Sequence, residues 1–104
     1  MRQHRTKTRN ALEILKRRAE KDPKLQKHYQ EEKLNLRIAI LIREAREAAG
    51  FTQTQLAKLI GTQQSVISRL EDADYEGHSL TILQKIARAL NKTLILNFQK
   101  TRAA

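Results

Sequence analysis

The 104-residue chain carries 21 Lys and Arg against 11 Asp and Glu, a formal charge of +10, and has no cysteine. This length suits one compact domain with short appendages, and the missing thiols exclude disulfides and thiolate metal sites, favouring a reducing, intracellular setting. No apolar run reaches the roughly 18 residues of a membrane span, and the basic opening MRQHRTKTR leads into no apolar leader, so a soluble, cytoplasmic protein is expected, with no membrane partner.

The charge is unevenly placed. Residues 1–30 hold ten Lys/Arg against three Asp/Glu, whereas residues 51–78 hold only Lys58 and Arg69 against Glu71, Asp72, Asp74 and Glu76. The excess implies a polyanionic partner, because each phosphate neutralised by Lys or Arg releases a counterion. It does not account for the second region.

The first nine residues lack periodic apolar positions and read as a disordered arm. From Thr8 to about Glu20, Ala11, Leu12, Leu15 and Ala19 share one stripe, which predicts a short amphipathic helix. Asp22 can cap a second helix and Pro23 suits its first turn, where no backbone N–H is needed. That helix is expected to run to Gly50, a left-handed stop, burying Ile38, Leu41, Ile42 and Ala45. Thr52 with Gln55 fits a capping box, so a third helix spans Gln53 to Ile60 and offers Leu56, Leu59 and Ile60 to the core. Gly61 ends it, and a fourth helix occupies about Gln64 to Glu71.

The acidic EDADYEGHS is a loop, and Ser79 caps a fifth helix carrying Leu80, Leu83, Ile86, Ala87 and Leu90 on one side. Asn91 suits a left-handed stop. KTLILNF then alternates with period two, which predicts a strand with Leu94, Leu96 and Phe98 on one face. A lone strand is not stable, so its expected partner is the same segment of a second subunit.

The fourth helix has two unlike faces. At about 100° per residue, Val66, Ile67 and Leu70 fall in one arc, and Gln64, Ser65, Ser68, Arg69 and Glu71 fill the opposite one. Only Gly61, Thr62 and Gln63 separate it from the third helix, a turn length that fits a helix-turn-helix, and Ala57 stands where the two helices would cross. In a major groove Gln matches adenine, Arg matches guanine, and Ser serves either base or a phosphate.

FTQTQLAKLIGTQQSVISRLE resembles the motif of the Cro/cI-like (XRE) regulators, LTQxxLAxxxGxxQSxISRLE, and the likeness extends over residues 36–90. It departs at Gln63, where the family commonly has a Ser or Thr cap. The resemblance implies a mainly all-α, five-helix domain that binds double-stranded operator DNA as a homodimer. It implies Gln64, Ser65 and Arg69 as base contacts, Thr62, Gln63 and Ser68 within reach of sugar, phosphate or bases, and Gln53 as a phosphate holder. Arg37, Arg43 and Arg46 could add backbone contacts, although Arg43 and Arg46, beside Glu44 and Glu47, read as ordinary solvated helix charges.

On this reading residues 1–33 are a basic arm and helical extension, 34–91 the DNA-binding domain, 92–99 the dimerisation strand and 100–104 a tail. The full layout resembles HigA-type antitoxins of type II toxin–antitoxin pairs. That implies a repressor of its own operon that also neutralises an RNA-cleaving toxin, docked on residues 1–33 through Leu12, Leu15, Leu25 and Tyr29, or on the acidic EDADYE loop. Two alternatives stay open: a stand-alone XRE regulator whose basic arm tracks DNA, and an interaction module that has lost DNA binding.

Catalysis has little support. His4, His28 and His78 are scattered, EDADYE lacks the register of a calcium loop, and neither a glycine-rich phosphate loop nor a nucleophile elbow is present. No enzyme activity, cofactor or metal is expected.

Overall fold

The computed structural model describes residues 2–101, and the side chains of residues 9–101, as an all-α chain. Its helices are α1 (Arg2–Ala19), α2 (Pro23–Ala48), α3 (Gln53–Ile60), α4 (Gln64–Leu70) and α5 (Leu80–Ala89). Helix α1 starts earlier than the expected disordered arm allows. Between Arg2 and Arg9 there is no Gly or Pro, so the turns formed downstream can propagate through residues of fair helix propensity. The side chains of His4 and Arg5 lie outside the described residues.

Helices α1 and α2 form a hairpin turned at residues 20–22. Ala19 is buried in it, and Leu12, Leu15, Leu25 and Tyr29 are half-buried. The Asp22 carboxylate accepts the Lys24 N–H at 3.0 Å and caps α2, whose first position is Pro23. The hairpin stretches the molecule: the radius of gyration is 15.3 Å, where a compact chain of this length would have about 13 Å.

The second half of α2 packs with α3, α4 and α5 around Ile42, Leu56, Ala57, Ile67, Leu70, Ile86 and Leu90, and Leu56 and Ile67 are completely buried. Chain reversals follow the expected chemistry. Gly61 (φ 74°) closes α3 in the left-handed region and lets the Thr62 N–H reach the Ala57 carbonyl at 2.8 Å. Asn91 (φ 58°) ends α5, and the Ser79 hydroxyl accepts the Ile82 N–H at its start.

Three apolar side chains expected in the core are exposed instead: Leu41, Leu59 and Leu80. Helix α2 serves two partners along its length, so its buried side runs through Leu36, Ala39 and Ile42 rather than through Leu41. In the short helices α3 and α5, Leu56 with Ile60, and Ile86 with Leu90, already fill the space that faces the core.

The expected C-terminal strand is also not formed. Residues 92–101 have neither helix nor strand, because no described segment offers them an edge to pair with. Leu94 is half-buried, while Ile95, Leu96 and Phe98 are exposed, Phe98 fully.

Loop 72–79 folds on itself and onto α2. The Asp74 N–H donates to the Asp72 side chain at 2.9 Å, the Tyr75 hydroxyl to the Gly77 carbonyl at 3.2 Å, and the Tyr75 and His78 rings meet edge to face at 5.0 Å. On α2, burial pushes the Glu32 carboxyl above its ordinary range, and the hydrogen bond and like charge of Glu76 push it further. The folded chain therefore binds this proton more tightly than the unfolded chain, and stability drops as pH rises from the usual carboxylate range through the folded value. Replacing Glu32 with Gln should raise stability near pH 7 by a few tenths of a kcal/mol and flatten that decline. Urea unfolding of both forms between pH 4 and 8 checks this, and parallel profiles would remove the assignment.

Candidate nucleic-acid interface

The two-helix corner is built from local signals. The Thr52 hydroxyl accepts the Gln55 N–H at 3.1 Å, and the Gln55 side chain accepts the Thr52 N–H at 2.9 Å, so the start of α3 has its capping box. Gln63 occupies the cap position of α4 with extended backbone (φ −100°, ψ 153°) and makes no side-chain cap. Thr62 does not take over that role.

Helix α4 is two-sided as anticipated. Ile67 and Leu70 are buried and Val66 is half-buried, whereas Gln63, Gln64, Ser65, Ser68 and Arg69 are exposed. Thr62 and Gln53 are half-buried beside them. The sequence-derived candidates thus form one polar surface along α4 and across to the first residue of α3.

A hydrogen-bonded chain holds this surface from behind. Gln64 Nε2 donates to Gln53 Oε1 at 2.6 Å, and Gln53 Nε2 donates to Glu71 Oε1 at 3.1 Å. Glu71 in turn receives Arg46 Nε on Oε2 at 2.7 Å and Arg46 Nη2 on Oε1 at 3.0 Å, while Arg46 Nη1 donates to the Phe51 carbonyl at 2.8 Å. This two-pronged pair is well shielded, with side-chain exposures of 12% for Arg46 and 4% for Glu71. Such a pair offsets the cost of burying its charges only when the remaining polar atoms are also bonded, as they are here. The hydrogen bond to Glu71 holds the Arg46 guanidinium more firmly protonated than usual, outweighing the opposite effect of burial.

Arg46 is therefore not the solvated helix charge expected beside Glu47. Its partner stands 25 residues away, at the end of α4. Arg43 does keep the local pairing, with Nε 2.9 Å from Glu47 Oε1, and Arg37 is exposed. Glu71, expected on the polar face with Gln64 and Arg69, is instead turned inward to Arg46, because it stands at the edge of that arc, and its side chain is only 4% exposed. Farther along, His78 Nε2 donates to the Leu70 carbonyl at 2.7 Å and satisfies the end of α4. Among the described residues, no three His, Asp or Glu side chains gather as metal ligands, and no helix is long and apolar enough to cross a membrane.

The helix-turn-helix family profile matches residues 42–96. This chain belongs to the helix-turn-helix family. Its domain is a DNA-binding one of the Cro/cI-like (XRE) type, a regulator class not typically enzymatic. Neither a curated protein nor a solved structure matches the chain. The helix-turn-helix match opens near the end of α2, at Ile42, and leaves α1 and α2 up to Leu41 outside it.

The geometry separates the two arginines of α2. Glu71→Ala should cost about 3 kcal/mol, since it strands the Arg46 charge in a shielded position. Arg43→Ala breaks a pair whose Glu47 side is open to water and should cost under about 1 kcal/mol. Chemical denaturation of both variants measures the difference, and equal losses would contradict the shielding of the Arg46–Glu71 pair.

Proposed function

We propose that this protein is a sequence-specific, dimeric transcriptional repressor that inserts α4 into the major groove of its operator. One observation carries this reading: Gln64, Ser65, Ser68 and Arg69 stand exposed together over the buried Ile67 and Leu70. A helix that served only for packing has no need of such a face.

The chemistry of each residue fits the groove. The Gln64 amide gives one hydrogen to Gln53, which leaves its second N–H and its carbonyl oxygen, the donor and acceptor that match adenine N7 and N6. Arg69, exposed and in no ion pair among the described residues, matches guanine O6 and N7. Ser65 completes the base-reading set, while Thr62, Gln63 and Ser68 lie near enough for sugar, phosphate or bases. Gln53 keeps one amide hydrogen for a phosphate, and its larger contribution is to orient Gln64.

The dimer is proposed on the exposed apolar segment Thr93 to Phe98, which is in neither helix nor strand in one chain. Pairing with a second copy would give each segment its edge and place the two α4 helices on half-sites about 34 Å apart. Within the regulator class we further propose the antitoxin form, on the likeness of the whole layout to HigA-type proteins. A basic toxin would then meet the acidic loop rather than the hairpin, whose Leu12, Leu15, Leu25 and Tyr29 are already partly covered. Co-purification of the chain with a small basic protein encoded beside it tests that form, and its absence would leave a stand-alone regulator.

Arg69→Ala should weaken operator binding by about 1 to 3 kcal/mol and relax preference at one base position, with little change on random DNA. Equal losses on both duplexes in titrations at matched salt would refute the base-reading role and favour an interaction module. A chain ending at Asn91 should sediment as a monomer, and a persistent dimer would exclude the C-terminal segment as its interface.

A further inference from the structure

Ten of the 21 Lys and Arg fall in residues 1–30, beyond the matched domain. Lys16, Arg17, Arg18, Lys21, Lys24 and Lys27 are all exposed and surround the tip of the α1–α2 hairpin. Lys27 stands 4.0 Å from Glu31 with both side chains largely in water, an arrangement worth little. Part of the charge opposes a helix dipole: Lys21 and Lys24 flank the positive end of α2, where the Asp22 cap is the one acid and the first turn adds none. The dipole of α1 does favour Lys16, Arg17 and Arg18 in its last turn, but that small local effect does not account for six exposed cations gathered around one turn. A polyanion would neutralise them.

This surface is separate from the face of α4. Counting 1.5 Å per residue along α2, the tip at Pro23 lies about 34 Å from Arg46, where the interface network begins. Midway along the helix, Glu32 and Glu76 with Asp74 interpose negative charge between the two regions. An apolar partner surface or a membrane is a poor match at the tip, because the hairpin turns Leu12, Leu15 and Ala19 inward, and its exposed large hydrophobics among the described residues are Ile14 on α1 and, farther from the tip, Leu34 and Leu41 on α2. A protein interface would need an apolar centre. Binding to a phosphate backbone needs only charge within reach.

We infer that the tip of the α1–α2 hairpin is a second, sequence-independent binding surface for the phosphate backbone of duplex DNA, outside the half-site read by α4. It rests on the charge and exposure of the hairpin and holds whether or not α4 reads bases.

The test compares the full chain with a variant in which Lys16, Arg17, Arg18, Lys21 and Lys24 are all Gln, a residue of comparable helix propensity. Circular dichroism of both confirms that helix content is kept. Affinity for a random-sequence duplex of about 40 base pairs is measured over a range of salt concentrations. Each phosphate contact contributes about 0.9 to the slope of log K against log salt, so the variant should lose at least about two from that slope and at least tenfold in affinity at low salt. Arg69→Ala should lose no more than about one. If the five-Gln variant matches the full chain in slope and affinity, the inference fails. It fails equally if polyglutamate binds the full chain more tightly than the duplex and loses that binding in the variant, since the tip would then be a site for an acidic protein. Failure of base reading by α4 would show separately, as an unchanged sequence preference in Arg69→Ala.

Discussion

The Arg46–Glu71 pair is the joint on which the corner of the molecule turns. It ties the end of α2 to the end of α4, reaches the α2–α3 link through the Phe51 carbonyl, and passes through Gln53 to Gln64. Apolar packing is non-directional and leaves helices some freedom to slide. A two-pronged charged bond fixes both distance and angle. Because Glu71 is nearly sealed from water, salt screens this bond much less than it screens surface charges. The surface of α4 can thus keep its shape under the ionic conditions that weaken contacts to a phosphate backbone.

The features legible in the sequence were those written over three or four residues. Thr52 with Gln55, Asp22 before Pro23, Ser79, Gly61 and Asn91 each announce a helix end through the bonding needs of the backbone next to them, and each does so in the structure. The two faces of α4 were readable for the same reason, since Ile67 and Leu70 sit at helical spacing among polar residues. Tertiary choices were harder to read. Leu41, Leu59 and Leu80 carry the right periodicity for burial, but periodicity does not reveal how many partners a helix has. The bond between Arg46 and Glu71 was hidden by distance along the chain, and Glu47, one residue from Arg46, offered a nearer but incorrect explanation.

Charge divides the chain along another line. The region that presents Gln64 and Arg69 is locally acidic, so the recognition proposed for it would depend on shape and hydrogen-bonding pattern rather than on bulk attraction. On the proposed reading, long-range attraction would come from the exposed cations of residues 16–27, around the tip at the far end of α2. Separating the two proposed tasks would let a weak, non-specific hold coexist with a selective one. A single patch serving both would gain affinity for every sequence alike.

The exposed segment that contains Ile95, Leu96 and Phe98 has a consequence for the lifetime of the protein. Irregular backbone open to water is also what proteases grip, so degradation and the proposed self-association would compete for the same few amides. A copy that found its mate would conceal the cleavage site, and a solitary copy would remain open to being cut. Turnover of the chain would then register its own abundance, with no additional sensor.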